Sequence, residues 1–332
     1  MDGSNRVAPE RTPGPDECAW LVSRLGPEYA SRRARLELAA EAKGARRETK
    51  ADLSFWALLD KYVARLLKAA GMLDRGQANA ARIQVTRNSV EIPGLPRAFH
   101  GYTLLHITDL HADISLRAMR ALPEVIRTLP YDACVITGDF RGRTYGPFAR
   151  TLEIVRDAIV PVTTPIFGVL GNHDTARIVP GLEALGIRML MNENEPIERD
   201  GSRLWIVGVD DPHHYRTDDL GRAFIGIPDG GSTVLLAHST DGVMAAAAAG
   251  VSLMLSGHTH GGQICLPGSI PVLTSSRMPR RFAKGRWRQG AMHGYTARGV
   301  GTSAVDARFN CPPEVVLHTL LCEPRPPQQP DV

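Results

Sequence analysis

Cysteine is scarce and lies in no paired pattern. The 332 residues hold five, Cys18, Cys134, Cys265, Cys311 and Cys322, with no CxxC spacing, so neither a disulfide framework nor a thiolate zinc site is suggested. A reducing compartment is the expectation. Aromatic residues make up only 6% of the chain, which leaves few rings to stack bases and argues against a nucleic-acid track. Net charge is small too: 39 Lys plus Arg against 35 Asp plus Glu give +4, a surplus that neither demands nor forbids nucleic acid or membrane. There is no long hydrophobic run. The longest nearly apolar stretch, residues 243–255, is Ala-rich, is interrupted by Gly250 and Ser252, and is too short to span a bilayer. The opening MDGSNRVAPERTPGPDE is polar and acidic, the reverse of a secretory signal. These absences predict a cytoplasmic protein, at most peripheral to the inner face of a membrane.

What is present is an ordinary globular composition, 43% hydrophobic and 22% charged, spread unevenly. Residues 1–100 carry 17 Lys/Arg against 12 Asp/Glu, and residues 277–298 carry seven basic residues and no acid. The body between them is net acidic. The expected organisation is an N-terminal tail and helical extension over 1–98, a main domain over 99–323 and a Pro-rich tail over 324–332. Within the extension, Phe55, Leu58, Leu59, Tyr62, Val63, Leu66 and Leu67 recur at helical spacing, with Ser54 as N-cap and Gly71 near the end. Two readings stand for this helix over residues 54–70. Either its apolar face packs on the main domain, or it lies on a membrane surface beside Lys61, Arg65 and Lys68.

From residue 100 onward, short aliphatic runs end abruptly in polar residues. TLLHITDLH, ACVITGDF, PIFGVLGNHD, LWIVGVDDP, STVLLAHS and VSLMLSGHTH all follow this pattern, which is that of buried strands. Helix-sized segments, 116–129 and 146–159, separate the first three, so βαβ units and a largely parallel or mixed sheet are expected. Ligands of such sheets bind outside the carboxyl ends of the strands. Those ends supply Asp109, His111, Asp139, Asn172, His173, Asp174, His238, His258 and His260. So many carboxylates and imidazoles in one place would be costly to bury without a cation. The donor count favours two divalent ions sharing a carboxylate.

Asp109-Leu110-His111, Gly138-Asp139, Gly171-Asn172-His173-Asp174, His238 and Gly257-His258-Thr259-His260 resemble the successive blocks of the calcineurin-like metallophosphoesterase superfamily, from about residue 103 to 264. The continuation Gly261-Gly262-Gln263 completes a GHTHGGQ block like that of a bacterial phosphodiesterase-like branch, some of whose members act on lipid-linked pyrophosphates. The resemblance implies an α/β fold of two stacked mixed sheets flanked by helices, the metallo-dependent phosphatase fold. It implies that Asp109, His111 and His260 hold one metal, that Asn172, His238 and His258 hold the other, and that Asp139 lies between them. His173 would face the substrate as the catalytic acid. The ions suited to mixed imidazole and carboxylate ligands are Mn, Fe or Zn, and a hydroxide between them would attack phosphorus. The acid usual three residues after the second Asp is replaced here by Gly142.

The expected substrate is an anionic phosphoester, lipid-linked or nucleotide-linked. Arg141 and Arg143 either contact its phosphate or are solvated loop residues. Arg286 and Arg288, in the basic stretch with Trp287, either clamp the anion beside a ring face or belong to a solvated hairpin. Asp210, Asp211, His213 and His214 read as a strand-end turn whose acids orient neighbouring groups. A nuclease of the same fold and a non-catalytic metal-binding scaffold remain the alternatives. The nuclease lacks a basic, aromatic track, and a scaffold would have lost ligands.

Overall fold

The computed structural model describes residues 15–49, 55–272, 276–303 and 305–323. The proposed N-cap Ser54 and the Pro-rich tail lie outside them. Two six-stranded mixed sheets form the frame. The strands are β1 (Gln84–Ile92), β2 (Thr103–Ile107), β3 (Ala133–Thr137), β4 (Ile166–Val169), β5 (Ile187–Met189), β6 (Glu193–Arg199), β7 (Ser202–Gly208), β8 (Thr233–Leu236), β9 (Leu253–Ser256), β10 (Cys265–Leu266), β11 (Ile270–Pro271), β12 (Gly285–Gln289), β13 (Met292–Thr296) and β14 (Glu314–Cys322). The first sheet runs β1-β14-β2-β3-β4-β5 and the second β12-β13-β9-β8-β7-β6, with β10 and β11 pairing apart.

In the first sheet β2, β3, β4 and β5 are parallel. In the second, β7, β8, β9 and β13 are parallel and β6 and β12 close the edges antiparallel. All six aliphatic runs seen in the sequence are strands, and the central ones are buried on both faces, as continuous hydrophobic runs require. β1 pairs with β14 in parallel register, Gln84 opposite Glu314 through Ile92 opposite Cys322. The sheet thus takes a strand from residues before 98.

Leu104, Val135, Phe167, Leu204, Ile206, Val234, Leu236 and Leu255 meet between the sheets. At roughly 1.5–3 kcal/mol for each buried aliphatic side chain, this layer holds the two sheets in register. The outer face of the first sheet is covered by α5 (Leu116–Arg127) and α6 (Ala149–Ile159), reached here after four helices upstream: α1 (Pro15–Leu25), α2 (Pro27–Thr49), α3 (Phe55–Ala69) and α4 (Leu73–Ala80). Ala118, Leu122 and Ile126 recur every four residues along α5 and are buried, the amphipathic stripe that fixes its orientation. Leu21, Leu25 and Ala30 of the first two helices join the same core.

The α3 helix forms where the apolar spacing predicts it. Val63 and Leu67 are half-buried, whereas Tyr62 and Leu66 are 62% and 70% exposed, so that apolar face is only partly covered by protein. Among the described residues no helix is long and apolar enough to cross a membrane.

Candidate active site

Because β2, β3, β4, β8 and β9 are mutually parallel within their sheets, the loops leaving their carboxyl ends gather at one rim. Asp109, Asp139, His238 and His260 are all nearly inaccessible there. Asp109, His111 and His260 present donor atoms within 4.8 Å of one another, as do Asp109, Asp139 and His238. His111 Nε2 lies 3.0 Å from His260 Nε2 and 3.6 Å from Asp139 Oδ2. The same Asp139 oxygen is 3.1 Å from His238 Nε2, which in turn lies 3.0 Å from Asn172 Oδ1. Asp139 therefore sits between two groups of donors. The His258 ring packs 5.2 Å from that of His238, centroid to centroid.

Local backbone geometry makes this convergence achievable. Asp109, His111, Asp139, His258 and His260 all have positive φ, between 42° and 73°. Such conformations cost about 1 kcal/mol or more each and persist where the surroundings over-determine them. Two glycines clear the space. A Cβ on Gly171 would meet Asp139 Oδ1 at 2.2 Å, and one on Gly257 would meet Asp109 Oδ2 at 2.3 Å.

The hydrogen bonds around the cluster turn lone pairs inward. His238 Nδ1 donates to the carbonyl of Thr137 at 2.7 Å, and His111 Nδ1 faces the carbonyl of Arg141 at 3.2 Å. Both rings then turn Nε2 to the centre, the arrangement by which backbone carbonyls orient metal-binding imidazoles. The His111 and His260 Nε2 atoms face each other at 3.0 Å beside the Asp109 and Asp139 carboxylates, a donor set that suits a divalent cation.

Electrostatics point the same way. Burial opposes charge on His238, yet the Asp139 carboxylate, with Asp109, holds its pKa up at about 10. Burial would raise Asp139, but His238 and His173 pull it well below the usual carboxylate range. Burial, with Asp139 adding repulsion, lifts Asp109 to about 7, and burial drops His111 to about 4. His238 and Asp139 thus share a positive charge, and a divalent ion held there would stand in for that proton.

His173 stands at the rim, half-buried. Its backbone N–H donates to Asp139 Oδ1 at 2.9 Å, its Nδ1 lies 2.9 Å from the Thr144 hydroxyl, and its ring meets that of His111 edge-on at 5.3 Å. The Asp174 carboxylate accepts from the N–H groups of Gly171, Phe140 and Arg141, clasping the β3 and β4 loops together. Where the superfamily acid is missing, Asp113 accepts from the N–H groups of Gly142 and Arg143, and a Cβ on Gly142 would strike Ile114 at 2.5 Å. Arg308 is fully buried against His260, with its guanidinium donating to the carbonyls of Gly301 and Arg298. None of Thr144, Asp113 and Arg308 carries a motif, so sequence reasoning passes over them.

The cationic candidates separate. Arg141 is buried, with one Nη on the carbonyl of Gly146 and its Nε without a protein partner. Arg143 is exposed. Arg286 and Arg288 lie on the edge hairpin β12–β13, opposite Tyr295 and His293. Since His293 pairs with Leu253 at the start of β9, Arg288 is directed to the end of the sheet away from the rim. Trp287 offers no ring face: it is buried, edge-on to Phe282 at 5.1 Å, and donates from Nε1 to Thr296 Oγ1. Strand alternation puts it on the core side, which periodicity in so short a hairpin could not settle. In the turn after β7, Asp211 accepts from the N–H groups of His213, His214 and Tyr215, the orienting role expected of it. His213 Nδ1 bonds Asp241 at 2.8 Å and its ring lies 4.2 Å from that of His258.

Residues 102–262 match the calcineurin-like phosphoesterase family, and over this stretch the chain is similar to that family of phosphoester hydrolases. An uncharacterized metallophosphoesterase of Bacillus subtilis (strain 168), YkuE, is 29% identical over 251 residues, 72% of this chain and 85% of that one. The phosphodiesterase YaeI of Escherichia coli (strain K12) is 30% identical over 50% of this chain and 62% of its own length. A Bos taurus transmembrane protein with metallophosphoesterase domain is 29% identical over 61% of this chain and 49% of its own.

Proposed function

We propose that the protein hydrolyses a phosphodiester or pyrophosphate bond of an anionic substrate with two divalent cations, Mn, Fe or Zn. The observation that carries the reading is Asp139 Oδ2 standing 3.6 Å from His111 Nε2 and 3.1 Å from His238 Nε2, one carboxylate oxygen shared by two donor groups. Asp109, His111 and His260 would hold one ion, and Asn172, His238 and His258 the other. Bound there, the ions supply Lewis acidity toward phosphoryl oxygens and activate water. With the Thr144 hydroxyl donating to Nδ1, the His173 proton resides on Nε2, where a leaving oxygen takes it. Of the two loop arginines, Arg141 is buried with an Nε that neither protein nor solvent reaches, so the exposed Arg143 is the one open to a phosphate oxygen. The likeness to the E. coli phosphodiesterase favours a diester. Exposed Tyr62 and Leu66 beside Arg65 and Lys68 favour peripheral contact of α3 with an anionic lipid surface, and hence a lipid-linked substrate over a free nucleotide.

Purified protein loaded with Mn should cleave bis-p-nitrophenyl phosphate, and His173→Ala should lower kcat by roughly 100-fold or more at unchanged metal content. Equal turnover by the variant would remove the acid role.

A further inference from the structure

The helix α2 lies wholly upstream of the family domain at residues 102–262, yet four polar residues spaced every four positions along it face the loops of the site. Tyr29 donates its hydroxyl to Asp210. Arg33, fully buried, donates from Nε to Glu37 at 2.9 Å and from Nη2 to the Asp174 carbonyl at 3.0 Å. Its Nη1 lies 3.5 Å from Asp210 Oδ2, and its guanidinium stacks 3.7 Å over the Tyr215 ring. Glu37 accepts from Thr175 Oγ1 and from the Ala176 N–H. Glu41 pairs with Arg177. The stripe thus reads residues 174–177 one after another, in the segment that leaves His173.

We propose that Arg33 is a positioning residue for His173, through which α2 latches the loop after β4 to the turn after β7. The inference rests on the hydrolase reading above for its kinetic consequence, not for its geometry. Burial opposes charge on Arg33, but Asp210 and Glu37 outweigh it and keep the guanidinium protonated, so a charge-assisted contact holds the Asp174 carbonyl. A neutral side chain of similar length leaves that carbonyl and the buried Asp210 without their cation, and a sub-ångström drift of an acid group is enough to slow proton transfer.

The test is a double-mutant cycle on the full Mn-loaded chain with Arg33→Met and His173→Ala, combined with amide hydrogen exchange. Arg33→Met should lower kcat about tenfold with KM and metal content held, Arg33→Lys should fall between it and wild type, and in the His173→Ala background Arg33→Met should cost less than twofold. Exchange over residues 171–177 should quicken at least tenfold while β8 and β9 stay protected. Should Arg33→Met fail to fold, Glu37→Gln, which weakens the hold on Thr175 and Ala176, should show the same coupling. A full tenfold cost on top of His173→Ala, or unchanged exchange over 171–177, would overturn the proposal. A wild-type chain that hydrolyses no phosphoester would overturn the hydrolase reading alone, since the exchange measurement still decides whether Arg33 holds the loop.

Discussion

Single residues carry opposite burdens in two of the polar clusters of the interior. At the rim, imidazoles and carboxylates converge to draw in charge. Between the sheets, Asn88, His318, His106 and Thr137 form a buried neutral ladder across β1, β14, β2 and β3, with His106 Nε2 on the Thr137 hydroxyl at 2.8 Å and His318 Nδ1 on Asn88 at 2.8 Å. Burial pushes His106 down to about 3, and burial with the neighbouring His106 pushes His318 well below its usual range. An unfolded imidazole titrates near 6.5. Between those values the unfolded chain holds protons that the folded one refuses, so stability is lost as pH falls through this window. His106→Gln keeps a hydrogen-bonding group and removes one titration. Its unfolding free energy, measured by urea titration with chelator between pH 4.5 and 6, should depend less steeply on pH than wild type by about 1.4 kcal/mol per pH unit. An unchanged slope would mean that the pair is not buried neutral.

At the scale of elements, the site depends on loops that turn sharply where strands end. Gly171 stands where β4 leaves the sheet, close enough to Asp139 that no side chain fits. Gly171→Ala must push the Asp139 carboxylate aside, at an overpacking cost of about 1–3 kcal/mol. The protein should fold, retain less than half the wild-type metal after gel filtration, and hydrolyse bis-p-nitrophenyl phosphate more than tenfold slower. Wild-type metal content in this variant would argue against Asp139 as the shared ligand. The strand-end donors were legible in the sequence because each follows a run of buried aliphatics, and that switch from apolar to polar marks both a strand and its carboxyl end. The stripe on α2 was not. Nothing local in the spacing of Tyr29, Arg33, Glu37 and Glu41 tells a buried ion pair from an exposed one. For Trp287 the sequence left a clamp and a hairpin both open, and alternation on β12 turns its ring into the core. Thr144, Asp113 and Arg308 reach the site only through tertiary contacts, which no spacing records.

The whole molecule is two sheets with their parallel strands ending at one rim, and an N-terminal helical pair strapped across that rim from outside. Arg24 pairs with Glu183 and Glu193, Arg222 donates to the carbonyls of Leu25 and Arg24, and Arg33 reaches inward. Helices outside the family domain thus pack on the loops of the candidate site, although every candidate metal ligand lies within that domain. The account stands on two ions acting together. The direct measurement is the initial rate of bis-p-nitrophenyl phosphate hydrolysis by metal-free protein as Mn is added in known equivalents per chain. The rate should stay low through the first equivalent and reach its plateau at the second. A plateau at one equivalent, or no hydrolysis at any loading, would contradict it.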